Sequence, residues 1–281
     1  MANADDPPLK VLFIGNSYTR VNDLPSMLAS LAAANGQKIE VESHLPGGRS
    51  LEKHLREKKA VEKIQEKKWD VVVLQEQSLR PVIDRDLMFQ YARVFQEEIK
   101  KQGAKTVFYL TWARKNVPEM QDGADPATAP EYAKAMYELM CGALEKGADR
   151  PDFEEWCTQN KTGLVHGLNG AYFDIAQELD AEVAPVGIAW KKALAADKNL
   201  VLYRPDKSHP TATGTYLAAC VFYTTLLGKS PVGLPGEIKN KDGKELVNIP
   251  PEEAERLQKI AWETVQEVRE CNNVSAPSRE K

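Results

Sequence analysis

Apolar residues along this chain gather into short blocks separated by longer amphipathic segments. Residues 10–14, Lys-Val-Leu-Phe-Ile, run apolar into Gly15, the pattern of a buried strand leaving a sheet. Residues 25–35 mix apolar and small side chains at helical spacing and stop at Asn35-Gly36. Residues 39–43 alternate strictly and predict a second strand, and residues 51–68 predict one highly charged amphipathic helix. Residues 69–74, Trp-Asp-Val-Val-Val-Leu, give the clearest buried strand. A helix over 89–102, capped by Gly103, leads to a fourth strand over 106–110; a helix over 171–179 leads to a fifth over 181–186. Strand and helix alternating at this spacing predict a parallel sheet with helices on both faces.

The rhythm breaks over residues 114–165. Pro118, Gly123, Pro126 and Pro130 precede a helix over 133–144 and a polar segment running to Gly163. This stretch reads as an insertion at the C-terminal edge of the sheet, where open α/β folds bind ligands. Later come an apolar helix over 215–227, a tight turn at 241–244 and a closing helix over 251–271. Without internal repeats, the simplest organisation is a disordered tail over 1–8, one domain over 9–271 and a flexible tail over 272–281.

Composition narrows the function classes. With 281 residues, 42% of them hydrophobic, the chain has enough apolar surface for a core without disulfides or metals. Net charge is −4, and lysines are interleaved with glutamates, as in Glu57-Lys58-Lys59, which argues against nucleic acid as principal partner. No apolar run reaches bilayer length, so membrane insertion is not expected. Ala2-Asn3-Ala4 has the small-x-small form of a signal-peptidase site, and export with the signal removed is the expectation drawn from it. Cys141, Cys157, Cys220 and Cys271 show neither CxxC nor metal-ligand spacing; Cys141 and Cys157 can pair across a loop if the compartment is oxidising. With no HExxH and no Cys/His cluster, no metal or other cofactor is expected.

Two segments carry chemistry. In Ile14-Gly15-Asn16-Ser17, the serine lies just past the first strand, near backbone N–H groups able to stabilise an oxyanion. Ser17 as a plain helix cap is the bland alternative, while a nucleotide loop is disfavoured because neither GxGxxG nor GxxxxGK[ST] is present. The second segment is Arg204-Pro205-Asp206-Lys207-Ser208-His209-Pro210, where a carboxylate three residues before a histidine can orient it as a base. Asp-x-x-His alone is common, and a turn followed by a helix cap is the alternative.

Together these segments resemble the SGNH (GDSL-like) hydrolase superfamily. Two further blocks support the likeness: Pro46-Gly47-Gly48-Arg49-Ser50 after the second strand, and Leu74-Gln75-Glu76-Gln77-Ser78 after the third. The resemblance spans roughly residues 9–230. Through 72–78, Thr111-Trp112-Ala113 and 214–220, it is closest to an SGNH-like branch named only as a domain of unknown function. It implies a flavodoxin-like three-layer α/β/α sandwich around a five-stranded parallel sheet. It also implies Ser17 as nucleophile, His209 as base, Asp206 as its support, and an oxyanion hole from the Ser17 and Gly48 N–H groups. Two positions depart from the pattern: Asn16 replaces the usual Asp, and Gln75-Glu76-Gln77 replaces Gly-x-Asn. Aligning the blocks makes Gln77 the side-chain donor, less plausibly Gln75, which then braces the loop.

Asn16, Trp112, Arg114 and His166 are the substrate-binding candidates; His44 and His54 read as surface residues. The function implied is hydrolysis of small acyl esters, with a carbohydrate O-acetyl ester suggested by the polar, Trp-containing insertion. The rival is a non-catalytic carbohydrate-binding protein on the same scaffold. A phosphoesterase has neither a metal set nor a phosphate loop to support it.

Overall fold

The structure, a computed structural model, describes residues 7–275, with side chains to residue 272. The Ala2-Asn3-Ala4 segment therefore lies outside the described residues. In chain order the first half runs β1 (Leu9–Ile14), α1 (Ser17–Arg20), α2 (Leu24–Ala34), β2 (Ile39–His44), α3 (Leu51–Glu57), α4 (Lys59–Glu66), β3 (Val71–Leu74), α5 (Arg80–Ile83), α6 (Arg85–Lys101) and β4 (Lys105–Tyr109). There follow α7 (Pro130–Ala143), α8 (Phe153–Gln159), α9 (Lys161–Leu179), β5 (Glu182–Ala184), α10 (Val186–Ala196), α11 (Ala212–Leu227), β6 (Glu237–Lys239), β7 (Glu245–Asn248) and α12 (Pro251–Ser275).

β1 to β5 form one parallel sheet in the order β2-β1-β3-β4-β5. Side chains alternate across it, so each central strand feeds two cores. Val11, Phe13, Val73 and Tyr109 pack with α2, α10, α11 and α12 on one face. Leu12, Ile14, Val72 and Phe108 pack with α3 to α9 on the other. This is the expected three-layer α/β/α sandwich. Because the chain moves outward in both directions from β1 and β3, the crevice beyond their C-terminal ends is the switch point at which such sheets bind ligands.

Several boundaries differ from the sequence reading. The charged helix over 51–68 is broken at Lys58, whose φ of 60° ends α3 and starts α4. The polar segment before Gly163 contains α8, capped by Asp152, whose carboxylate accepts from Glu155 N at 2.9 Å. The strand over 181–186 stops at Ala184; Pro185 has no N–H for the ladder, and α10 begins immediately after it. The 171–179 helix begins at Lys161, with a kink at Gly167 (φ 60°). There the inserted region closes on α9: a Cβ at Gly123 (φ +77°) would sit 2.2 Å from Val165 O. The closing helix continues to Ser275, beyond the 251–271 expected. Cys141 and Cys157 are not paired with each other: both are free thiols.

Candidate active site

The sequence needs Gly15 because the chain turns off β1 against the β3 loop: a Cβ there would stand 2.7 Å from Gln75 Oε1. Asn16 follows, 3% exposed, with every polar group engaged. Its N–H donates to Gln75 Oε1 at 2.9 Å, its Nδ2 to Arg49 O at 2.9 Å, and its Oδ1 accepts from Tyr18 N at 3.1 Å. The side chain thus caps the short helix α1, and Ser17 becomes that helix's first residue, half-buried at the sheet edge.

The second segment is a closed loop. Tyr203 bridges Pro210, Arg204 N donates to His209 O at 2.8 Å, and Lys207 takes a left-handed conformation (φ 61°). Asp206 Oδ1 accepts from Ser208 N at 3.0 Å and His209 N at 2.9 Å, while Oδ2 faces His209 Nδ1 at 2.7 Å. Burial alone would raise the Asp206 pKa, but the hydrogen bonds from His209 and Ser208 outweigh it and hold the group below its usual value. An ionised carboxylate can only accept, so Nδ1 carries the imidazole proton and Nε2 is left with a lone pair. That Nε2 lies 2.9 Å from Ser17 Oγ, across 192 positions of sequence.

The two segments are held together by contacts among neighbouring side chains. Tyr18 OH lies 2.6 Å from Ser208 Oγ, joining the residue after Ser17 to the residue before His209. Trp112 Nε1 donates to Ser208 O at 2.9 Å; its ring stacks on Tyr18 at 4.9 Å and on Trp190 at 4.0 Å. Asn22 (φ 61°) donates to Pro210 O at 3.2 Å and to Thr215 Oγ1 at 2.8 Å. Two non-glycine residues in the left-handed region, Asn22 and Lys207, thus brace the same site, where such strain tends to collect.

No family model and no curated protein matches the sequence, but solved structures match the fold. A protein from Slackia heliotrinireducens, described as a candidate SGNH hydrolase, is 25% identical; the match covers 78% of this chain and all of that one, with a TM-score of 0.55. A DUF4886 family protein from Bacteroides uniformis is 17% identical over 92% of this chain and 95% of its own, with a TM-score of 0.63. Esterase EstA from a Pseudoalteromonas species is 12% identical over 78% and 97%, with a TM-score of 0.50. The chain has the SGNH hydrolase fold. The branch named only as a domain of unknown function, expected from residues 72–78, 111–113 and 214–220, also has its counterpart among these structures.

On this SGNH scaffold the second and third blocks flank the serine. Gly48 is exposed in a turn with φ +67°, and neither its N–H nor that of Ser17 is used inside the described protein. Gln75 is fully buried: Oε1 accepts from Asn16 N and from Thr19 Oγ1 at 3.0 Å, and Nε2 donates to Glu76 O at 2.5 Å. Gln77 is half-buried; its Oε1 accepts from Leu79 N at 2.8 Å and Arg80 N at 3.2 Å, leaving Nε2 without a partner among the described residues.

The remaining candidates divide. Arg114 reaches the third block, its guanidinium donating to Ser78 Oγ at 3.0 Å. Trp112 is 1% exposed, so it does not line a cleft; its ring is core and its N–H a brace. Asn16 is likewise buried and fully engaged, so its role is the loop, not a ligand. His166 sits exposed on α9, 3.4 Å from Asp174, which also pairs with Arg85. His54 is not a surface residue. It is fully buried, its Nε2 donates to Gly15 O at 2.8 Å, and burial lowers its pKa to about 4, so it is neutral at physiological pH.

Proposed function

We propose that this chain is a serine esterase acting on small acyl esters through Ser17, His209 and Asp206. The observation that carries the reading is the unbroken chain of contacts from Asp206 Oδ2 through both ring nitrogens of His209 to Ser17 Oγ. His209 Nε2 takes the Ser17 proton as Oγ attacks the ester carbonyl, and Asp206 stabilises the imidazolium that forms. The tetrahedral oxyanion is held by the free N–H groups of Ser17 and Gly48 and by Gln77 Nε2. Collapse expels the alcohol, which takes the proton from His209. Water, deprotonated by the same nitrogen, then releases the acid.

A short acyl group is favoured because, among the described residues, the large exposed apolar side chains are Phe153, Val201 and Val232, far apart in sequence. The alcohol portion is less constrained. The inserted region's Trp156 is buried, which removes the tryptophan argument for a sugar ester; a carbohydrate O-acetyl group stays within the proposal on polarity alone. The same burial weakens the rival reading, since Trp112, Trp156 and Trp190 present no exposed platform for a non-catalytic sugar-binding protein. The test is hydrolysis of p-nitrophenyl acetate. Wild type is expected to turn it over, and Ser17→Ala, folded by circular dichroism, to fall to background, a loss on the order of 10⁶ for a triad serine. Turnover retained in Ser17→Ala would remove Ser17 as nucleophile.

A further inference from the structure

Glu76 has no part in the chemistry above, yet it is 1% exposed and lies between the two oxyanion loops. A buried carboxylate ordinarily has a cation against it, because an unpaired charge is expensive to desolvate. Glu76 has none. The nearby Arg80 guanidinium is paired with Glu52 at 2.9 Å, with Asp84 at 4.0 Å, and touches Glu76 only through its field. Burial accordingly pushes the Glu76 pKa to about 7, against the pull of the Gln77 N–H, Arg80 and the Leu51 N–H.

The carboxylate does hold two backbone N–H groups. Oε1 accepts from Gln77 N at 2.5 Å and from Leu51 N at 3.2 Å, with Oε2 3.4 Å from the latter. Leu51 begins α3 and ends the loop that carries Gly48; Gln77 is the side-chain donor of the third block. The Gly48 loop is fixed on its other side by Asn16 Nδ2 on Arg49 O. One loop is thus tied to the nucleophile's neighbour at Arg49 and to the third block at Leu51.

We propose that Glu76 is a positioning residue that sets the separation of the Gly48 and Gln77 oxyanion donors by accepting from both of their loops. The role rests on the serine-esterase reading. Because Oε1 alone spans both N–H groups, the acceptor is what matters and the charge is dispensable. Glutamine in its place keeps an acceptor at that point; methionine fills much the same space with only a weakly accepting thioether.

The experiment compares wild type, Glu76→Gln and Glu76→Met in steady-state kinetics on p-nitrophenyl acetate, with amide exchange by mass spectrometry over residues 45–51 and 77–80. Glu76→Met is expected to lose about 10–100-fold in kcat with KM changed by less than about threefold, since a displacement near 1 Å costs rates of that order. Both segments should exchange faster, and Glu76→Gln should recover most of kcat and of the protection. If Glu76→Met does not fold, Glu76→Gln decides: a loss as deep as the methionine range makes the charge essential and overturns the proposal. Unchanged kcat in a folded Glu76→Met, or unchanged exchange in both segments, also overturns it while the esterase reading stands. A wild type without turnover overturns both the reading and the role.

Discussion

In the proposed mechanism Gln77 does two jobs with one amide. Its oxygen caps the turn entering α5 by accepting from Leu79 and Arg80, and its nitrogen has no partner among the described residues. Truncation to alanine would mix the loss of a cap with the loss of a donor. Gln77→Glu separates them, because the carboxylate keeps the acceptor and removes the N–H. Removing one oxyanion donor costs about 10²–10³ in kcat, and a negative charge beside the oxyanion adds to it. Steady-state kinetics should show that loss with a thermal midpoint close to wild type; an unchanged kcat would leave the hole to backbone N–H groups alone. At this scale the sequence disclosed residue types and spacing. Ser17, Asp206 and His209, which the fold brings into contact, stood out in the sequence because each follows a recognisable strand end or turn. The burial of Trp112, Asn16 and His54 was not, because a side chain's exposure depends on elements far away in sequence. The contact of Tyr18 with Ser208, beside Ser17 and His209, became visible only when 190 positions of separation closed to 2.6 Å.

Elements were legible where the pattern was strong and blurred where it was local. The strands came from apolar runs, but the break at Lys58 has no Gly or Pro to mark it, and its cause is αL backbone inside a charged run. The helix α8 did have a signal, Asp152 followed three residues later by Glu155, an acidic variant of the capping box. The helix α3 carries a consequence of its own: it is pinned to the first block by His54 Nε2 on Gly15 O. The folded His54 pKa, about 4, lies below its ordinary 6.5, so an unfolded chain takes up this proton first. Stability from this site is therefore complete above about pH 6.5 and is lost as pH falls towards 4. A displacement of that size corresponds to something on the order of 3 kcal/mol. Thermal melts from pH 7.5 to 4.5 should fall more steeply for wild type than for His54→Gln, which keeps an N–H near Gly15 O but cannot titrate. Parallel curves would contradict it.

On the scale of the whole molecule, the strand order β2-β1-β3-β4-β5 accounts for why a serine near the start and a histidine near the end meet. The switch point sets the loops after β1 and β3 at one crevice, and the layer of α10, α11 and the Trp112–Trp190 stack delivers the 203–210 loop to it. Fold class and the five strands of the parallel sheet followed from the sequence, because alternation of apolar runs and amphipathic helices constrains topology strongly, whereas the short β6–β7 pair showed only as the turn at 241–244. The central claim is that Ser17 is a nucleophile activated by His209, and diethyl p-nitrophenyl phosphate tests it most directly. Its phosphorus reacts with an activated serine, releasing p-nitrophenolate and leaving a stable diethylphosphoryl ester. The expected result is a burst of about one p-nitrophenolate per chain, one diethylphosphoryl adduct on the intact mass, and peptide mapping of that adduct to Ser17. Stoichiometric labelling at another residue, or no labelling of a folded protein, would contradict it.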